Sequence, residues 1–163
     1  MNKSDFRTEL QVPTSKIKMG LDNSIITIGS CFSDVIGSCL INNKFDTLVN
    51  PFGTVYNPVS IFNLLLPHEW DDNKFIDSNG SIFHHDVHSS FFRDSVTELK
   101  NELISIKSQT INKLKECKWL IVTFGTAIVY KLKDTGDVVA NCHKVPQKKF
   151  IKDNLSVKEM IQA

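Results

Sequence analysis

The sequence predicts a parallel, three-layer α/β domain, and two observations support this fold class. Short apolar runs alternate along the chain with segments whose apolar residues recur at helical spacing. That alternation is typical of strands and helices that build a parallel sheet covered by helices. In addition, residues 119–124 (Trp-Leu-Ile-Val-Thr-Phe) form one continuous apolar run. Such a run predicts a strand that is buried on both faces of the sheet.

The first strand and the first helix are predicted between residues 25 and 43. Residues 25–28 (Ile-Ile-Thr-Ile) form a β-rich run that ends at Gly29. The helix that follows is indicated by apolar residues four positions apart, namely Phe32, Ile36 and Leu40. Asn42-Asn43 ends this helix, and residues 45–49 are predicted as the second strand.

A second helix is predicted to begin at Asn57-Pro58, because Asn is a favoured N-cap and Pro a favoured first helical residue. Pro67 ends this segment. Residues 70–94 are rich in Asp, Asn, Ser and His, and residues 77–80 are predicted as a turn between two short strands. The third helix starts at the capping box of residues 95–98 (Ser-Val-Thr-Glu), and a clear helical period follows it.

The last part of the chain predicts a hairpin and the start of another helix. Residues 127–132 and 138–141 flank Asp134-Thr135-Gly136-Asp137, which is a good hairpin signal. Residues 156–159 (Ser-Val-Lys-Glu) form another capping box, and Ala163 ends the chain shortly afterwards. A helix of about two turns is marginal unless it is packed. We therefore expect residues 1–163 to be a single partial domain that continues beyond residue 163.

Composition and charge exclude several kinds of partner. The 163 residues include 41% hydrophobic and 23% charged residues, as in ordinary globular domains, and the formal net charge is +1. We therefore expect no nucleic-acid partner, and the lysine-rich run 144–152 is predicted as a solvated loop. No stretch approaches the ~18 apolar residues of a membrane helix, and residues 1–5 lack the apolar core of a signal peptide. These features predict a cytoplasmic protein without a membrane partner.

Ser30 is the first candidate for a functional residue. It follows a strand and a glycine turn and precedes a helix, and parallel sheets bind ligands beyond the carboxyl ends of their strands. Near the positive end of the helix, its hydroxyl is a nucleophile if a histidine accepts its proton. The alternative is that Ser30 only caps the helix. Cys31 competes as a thiol at the same helix start, but Ser30 is preferred because the first position of the turn is expected to expose its side chain.

Two further loops are predicted at the same edge of the sheet as Ser30. Residues 50–54 (Asn-Pro-Phe-Gly-Thr) follow the second strand, and residues 125–127 (Gly-Thr-Ala) follow the apolar run. Backbone N–H groups of glycine loops are suitable donors to an oxyanion. Each loop alone is weak evidence because plain turn chemistry explains it, and three converging loops support a functional site only as well as they support plain turns.

The five histidines are potential bases or metal ligands: His68, His84, His85, His88 and His143. The three closely spaced ones suggest a metal site, but no cysteine lies among them and Asp86 is the only nearby acid. The four cysteines show no metal-ligand spacing and are expected to be mostly small buried side chains. We therefore expect no metal and no other cofactor. His68 is expected at the surface, and His143 either approaches Ser30 or is structural.

Gly29-Ser30-Cys31-Phe32-Ser33 resembles the signature of the GSCFA family, with Ser33 in place of the final alanine. Further segments resemble the family in the expected order, namely Phe6-Arg7-Thr8-Glu9, residues 49–58 (Val-Asn-Pro-Phe-Gly-Thr-Val-Tyr-Asn-Pro), His88-Ser89-Ser90-Phe91, residues 123–130 (Thr-Phe-Gly-Thr-Ala-Ile-Val-Tyr) and Asn141-Cys142-His143-Lys144. The resemblance spans nearly the whole chain. Its ordered motifs make it far more specific than a lone Gly-Ser pair.

The GSCFA family is grouped with the SGNH, or GDSL, hydrolases, so the resemblance implies a flavodoxin-like α/β/α sandwich. In those enzymes a serine of the first block is the nucleophile. Its N–H, a glycine of the second block and an asparagine of the third block form the oxyanion hole. The catalytic Asp and His lie near the carboxyl terminus, in an Asp-x-x-His block.

This resemblance carries over to only some residues of the chain. It implies that Ser30 is the nucleophile and that Gly53 is the oxyanion-hole glycine. Residues 125–127 lack the asparagine of the third block. The candidate equivalents of that block are Gly125, Thr126 and Asn141. No Asp-x-x-His pattern follows Ser156, so the base and acid are expected outside this chain, with His143 as the candidate base within it.

The resemblance implies a serine ester hydrolase of the SGNH type that acts on acyl or acetyl esters, including those of carbohydrates. Its partner is then a small-molecule or carbohydrate ester. Two alternatives stay open, because a fold does not fix a function: a non-catalytic ligand- or carbohydrate-binding module, and an inactive truncated unit. Residues 1–163 alone are expected to have little or no esterase activity, since a serine without a positioned base is a weak nucleophile.

Overall fold

A computed structural model describes residues 11–163. The motif Phe6-Arg7-Thr8-Glu9 and the amino-terminal residues 1–5 lie outside the described residues. The described helices are α1 (Cys31–Asn42), α2 (Pro58–Leu65), α3 (Val96–Glu116) and α4 (Val157–Gln162). The described strands are β1 (Ser24–Gly29), β2 (Asp46–Val49), β3 (Phe75–Ser78), β4 (Ser81–His84), β5 (Trp119–Thr123), β6 (Ile128–Leu132), β7 (Val138–Val139) and β8 (Phe150–Asn154). The prediction of a mixed α/β protein is therefore confirmed.

The sheet that carries the candidate site has the strand order β2-β1-β5, and both pairings are parallel. Helices lie on both of its faces. On one face the Thr27 hydroxyl donates to the Ser33 carbonyl of α1 at 3.2 Å. On the other face Ile28 belongs to an apolar cluster with Leu64 of α2 and Leu103 of α3. Neighbouring side chains of a strand point to opposite faces, so α1 is separated from α2 and α3 by the sheet.

Helix α1 packs on the sheet through its smallest residues rather than through its predicted apolar stripe. Ser33 and Gly37 are buried, whereas Phe32 is 58% exposed. A Cβ added at Gly37 would lie 2.5 Å from the Val49 Cγ2 atom and 2.8 Å from the Thr27 Oγ1 atom. The helix therefore approaches the strands too closely for a larger side chain. The spacing of Phe32, Ile36 and Leu40 located this helix correctly, but Phe32 does not lie on the face that packs against the sheet.

Strand β5 is parallel, as predicted, but it is not buried on both faces. Among the described strands it lies at the edge of the three-stranded sheet, beside β1 alone. Leu120 is 41% exposed, and Phe124, immediately after the strand, is 54% exposed. The apolar run was correctly predicted to be a strand of a parallel sheet. The predicted burial on both faces was wrong, because an edge strand lacks a neighbour on one side.

Two smaller antiparallel sheets complete the described structure. Strands β3 and β4 form the hairpin predicted around residues 77–80, and β6 and β7 form the one predicted around Asp134–Asp137. The lysine-rich run 144–152, predicted as a solvated loop, runs into β8, which pairs antiparallel with β6. The first residue of β8, Phe150, is buried. The end of the run is therefore a strand rather than a loop, because it pairs with residues far along the chain. No helix among the described residues combines the length and apolarity needed to cross a bilayer.

Candidate functional site

Three loops meet at the carboxyl edge of the parallel sheet, and backbone hydrogen bonds hold them together. The turn after β1 joins the loop after β2, because the Val55 N–H donates to the Gly29 carbonyl at 2.9 Å. That second loop joins the loop after β5, because the Gly125 N–H donates to the Tyr56 carbonyl at 2.8 Å. Ser30 lies in the first of these loops, Gly53 in the second, and Gly125 and Thr126 in the third.

The turn at Gly29 admits only glycine. Its φ of +132° is a conformation that other residues rarely adopt, and a Cβ there would overlap the Thr123 carbonyl oxygen. The Gly29 N–H donates to the Asn50 Oδ1 atom at 2.8 Å. Glycine therefore lets β1 pair closely with β5 up to its last residue and still turn sharply into Ser30.

The Ser30 hydroxyl caps α1 and also belongs to a chain of three hydroxyl groups. Its Oγ accepts a hydrogen bond from the Phe32 N–H at 3.3 Å, so the capping interpretation holds. The same Oγ lies 2.9 Å from the Thr123 Oγ1 atom, which lies 2.7 Å from the Ser33 Oγ atom. The oxygen that caps α1 is therefore the same oxygen that the sequence suggests as a nucleophile. We call Gly29, Ser30, Ser33, Asn50 and Thr123 the Ser30 corner.

Exposure at this turn differs from the expectation. Ser30 is only 7% exposed, whereas the side chain of Cys31 is exposed. The reason given for preferring Ser30 is thus wrong, because the tight packing of Gly29 against β5 draws Ser30 inward. The expectation of mostly buried cysteines is also wrong, because Cys39 is exposed as well, while Cys117 and Cys142 are half-buried. What distinguishes Ser30 is its hydrogen-bonded hydroxyl at the meeting point of the loops.

The N–H groups considered as oxyanion donors all have acceptors within the protein. The Ser30 N–H donates to the Thr123 carbonyl at 3.1 Å and to its Oγ1 atom at 3.0 Å. The Gly53 N–H donates to the Asn50 carbonyl at 2.7 Å. The N–H groups of Gly125 and Thr126 both donate to the Tyr56 carbonyl, at 2.8 and 3.2 Å. An oxyanion can bind one of these N–H groups only if that N–H group gives up its present acceptor within the protein.

Asn50 links the turn after β1 to α1 and was not singled out from the sequence. It is buried and has a φ of +37°. Besides accepting from Gly29, its side-chain amide donates to the Asp34 Oδ1 atom at 2.6 Å and lies 3.5 Å from the Ser30 carbonyl. Its place after a strand and before a proline is the sequence signal that could have found it. Thr123 was also missed, although it is the only hydroxyl residue within the apolar run 119–124.

His88 is the histidine that the structure brings to the second loop. A Cβ added at Gly53, whose φ is +74°, would collide with the His88 Cβ atom, and the His88 N–H donates to the Phe52 carbonyl at 3.1 Å. The His88 Nδ1 atom accepts from the Ser90 N–H at 3.2 Å. In the neutral ring the proton is therefore on Nε2, so Nε2 has no lone pair for a proton from a serine.

Asn141 and His143 form hydrogen bonds elsewhere, and none of those reaches Ser30. The Asn141 Oδ1 atom accepts from the His143 N–H at 2.9 Å, and its carbonyl accepts from the His85 ring at 2.7 Å. The His143 Nε2 atom donates to the His84 carbonyl at 2.8 Å. His143 is 5% exposed, and burial lowers its pKa to about 4. Of its two predicted roles, these contacts favour the structural one.

We call His84, His85 and His143 the histidine cluster. His84 is fully buried, and burial lowers its pKa to about 4. Its Nε2 atom donates to the Asp71 carbonyl at 3.2 Å, and its Nδ1 accepts from the Asp86 N–H at 3.2 Å, so both ring nitrogens are used. Burial lowers the pKa of His85 as well. Within residues 11–163 no group of three or more His, Cys, Asp or Glu side chains is arranged to hold a metal ion.

Comparison with known proteins gives one finding. The model of the GSCFA family matches residues 24–163, which is most of the chain and includes the Ser30 corner and the histidine cluster. No curated protein and no solved structure gives a significant match.

Proposed function

The chain belongs to the GSCFA family, and from that premise we propose that it supplies Ser30 as the nucleophile of an SGNH-like serine esterase. The substrate class we propose is an acyl or acetyl ester, including esters of carbohydrates. The observation that carries the proposal is the position of Ser30 between two neighbouring parallel strands. It follows β1, and its hydroxyl and N–H both contact Thr123 at the end of β5.

The strand order explains why that position favours a ligand site. The three strands of the parallel sheet lie side by side in the order β2-β1-β5. If they are renumbered along the chain as first, second and third, this order is second, first, third, as at the start of a flavodoxin-like sheet. The order reverses between the first and third strands, and open α/β sheets bind ligands in the crevice at this reversal. Helices on both faces of the sheet agree with the α/β/α sandwich that we propose for the complete domain.

The chemistry we propose is a two-step acyl transfer. A base takes the Ser30 proton, the electron pair left on Oγ forms a bond to the ester carbon, and the carbonyl electrons move to the oxygen. When the tetrahedral adduct collapses, the alcohol leaves with a proton and the acyl group stays on Ser30. Water then hydrolyses this acyl ester by the same route. We propose that the base and its orienting acid come from residues outside the described range.

The oxyanion needs donors that are available when the adduct forms. We propose that the N–H groups of Ser30 and Gly53 exchange their present acceptors, Thr123 and Asn50, for the oxyanion. Cys31 offers a third donor, because its N–H is at the first position of α1 and has no hydrogen bond within residues 11–163. The first N–H groups of a helix have no acceptor within the helix, so they are free to bind anions.

The rival function is a non-catalytic ligand-binding module, and one observation favours it. The N–H groups of Ser30, Gly53, Gly125 and Thr126 all have internal acceptors, so no preformed hole of these donors waits for an oxyanion. A binding module would hold an ester or a carbohydrate at the same edge of the sheet without cleaving it. The experiment below separates the two functions.

The test is the hydrolysis of p-nitrophenyl acetate by the natural polypeptide that contains these residues, compared with its Ser30→Ala variant. We expect the substitution to lower kcat by at least about 1,000-fold, because loss of a triad member removes most of the catalysis. The matched control is Ser95→Ala, because Ser95 is also a helix N-cap, accepting from the Glu98 N–H at 3.3 Å. The Ser95→Ala variant loses a helix cap comparable to that of Ser30 but keeps Ser30 itself. Its activity should therefore stay within about twofold of the wild type.

Three outcomes would contradict parts of the proposal. Equal turnover by the Ser30→Ala variant would show that Ser30 is not the nucleophile. Saturable ester binding without Ser30-dependent turnover would favour the binding module. Equal, Ser30-dependent turnover by residues 1–163 alone would place the base within them, and His88→Gln and His143→Gln would then identify it.

A further inference from the structure

The three hydroxyls of the Ser30 corner form a hydrogen-bonded chain whose middle member is Thr123. Its Oγ1 atom lies 2.9 Å from the Ser30 Oγ and 2.7 Å from the Ser33 Oγ, and it accepts the Ser30 N–H at 3.0 Å. Resting on the proposed function of Ser30, we propose that the Thr123 hydroxyl is a positioning residue that orients Ser30 for attack. Nothing in the sequence motif around Ser30 indicates this role, because the two residues are 93 positions apart.

The direction of the hydrogen bonds follows from counting protons. Ser33 is fully buried, and its hydroxyl contacts only Thr123 within residues 11–163. If Thr123 donated to Ser33, the Ser33 proton would be buried without an acceptor, which is costly. Ser33 therefore donates to Thr123. The Thr123 oxygen then uses both lone pairs, for Ser33 and for the Ser30 N–H, and its own proton goes to the Ser30 Oγ.

This direction has two consequences for Ser30. Its oxygen accepts from both the Thr123 hydroxyl and the Phe32 N–H, so its own proton is directed to neither and is available to a base. Both donors also remain on the oxygen as negative charge develops there during proton removal. Hydrogen bonds to a charged group are stronger than those between neutral groups, so the chain favours the attacking form of Ser30.

The test uses Thr123→Val, which keeps the branched shape without the hydroxyl, and Thr123→Ser, which keeps the hydroxyl. In the natural polypeptide we would measure the rate at which a fluorophosphonate labels Ser30. Thr123→Val should slow labelling by about 10- to 100-fold, the loss expected for one hydrogen bond to a developing charge. Thr123→Ser should restore the rate to within about threefold. Thr110→Val is the control, because Thr110 is buried in α3 and donates only to the Ile106 carbonyl.

A second measurement does not depend on reactivity. The Hα–Hβ couplings of Ser30, measured by NMR, should report one fixed rotamer in the wild type and in Thr123→Ser, and an average in Thr123→Val. Wild-type labelling and couplings in Thr123→Val would overturn the positioning role and leave the proposed function intact. If the wild type is not labelled at Ser30, the proposed function fails, and unchanged couplings would then also exclude Thr123 as the group that orients Ser30.

Discussion

The Ser30 corner and the histidine cluster use polar side chains in opposite ways. The cluster contains three of the five histidines, the residues with the greatest capacity to exchange protons near neutral pH. Yet each of its rings donates to a backbone carbonyl, and all three side chains are buried. The Ser30 corner contains no histidine and no acid, only hydroxyls, an amide and a glycine, but it lies at the edge where three loops meet.

The difference between the two regions shows that hydrogen-bond partners, and not burial alone, decide which groups remain available for chemistry. Burial keeps the imidazoles of His84 and His143 neutral, with pKa values of about 4, so they act as hydrogen-bonding parts of the core. Ser30 is also buried, but its oxygen is surrounded by donors rather than acceptors. The proton of Ser30 therefore remains available, whereas the protons of the histidine cluster are committed to carbonyl groups.

The largest expected effect is a loss of stability in mild acid that originates in the histidine cluster. The unfolded chain protonates its histidines near pH 6.5, whereas His84 and His143 stay neutral in the folded protein down to about pH 4. In this window the unfolded state binds more protons, so stability is complete above pH 6.5 and falls as the pH falls. The loss should be on the order of 2 to 3 kcal/mol for each of these histidines at pH 4.

The measurement is urea unfolding at several pH values between 4 and 7, with His143→Asn as the comparison. Asparagine tolerates the φ of +47° at this position and does not titrate. The variant should be less stable at pH 7, because it loses the bond to the His84 carbonyl, but its stability should depend less steeply on pH. An unchanged slope would show that His143 is not neutral in the folded protein and would remove the contrast with the Ser30 corner.

The next effect tests the rigidity of the Ser30 corner. Gly29→Ala should lower the free energy of unfolding by about 4 kcal/mol, because the new Cβ meets the Thr123 carbonyl and the φ of +132° is strained for alanine. Gly136→Ala is the matched control, since Gly136 has a φ of +78° but no atom within 4 Å of an added Cβ. The control should cost only about 1 kcal/mol. Equal costs in thermal unfolding would mean that the close approach to β5 is unimportant.

A smaller effect is expected at the second loop. Gly53→Ala combines a φ of +74° with a contact between the new Cβ and the His88 Cβ, and His88 lies outside the helices and strands. We expect a cost of about 2 kcal/mol in urea unfolding. Gly125→Ala provides the comparison, because its new Cβ would meet mainly the Tyr56 ring, 2.6 Å from the Cδ1 atom, and that side chain is exposed. A greater cost at Gly125 than at Gly53 would reverse our ranking of the two loops.

Local features of this protein were predictable from sequence, and long-range contacts were not. The order of strand, glycine, serine and helix around Ser30 depends on neighbouring residues, and the sequence predicted it correctly. The contact of Ser30 with Thr123, the exposure of Phe32 and the pairing of β8 with β6 depend on residues far along the chain. The hydrogen bonds of His143 to Asn141 and to the His84 carbonyl belong to this second class, since a single sequence does not report which distant residues form contacts.

The double use of the Ser30 oxygen has a consequence for how turnover could be observed. The oxygen accepts the Phe32 N–H at the start of α1. In the proposed acyl intermediate this oxygen becomes part of an ester, and an ester oxygen of this kind is a poorer acceptor than a hydroxyl. The first turn of α1 should therefore loosen while the acyl group is attached and tighten after hydrolysis. Hydrogen exchange at the Phe32 amide would then report the lifetime of the intermediate without any label on the substrate.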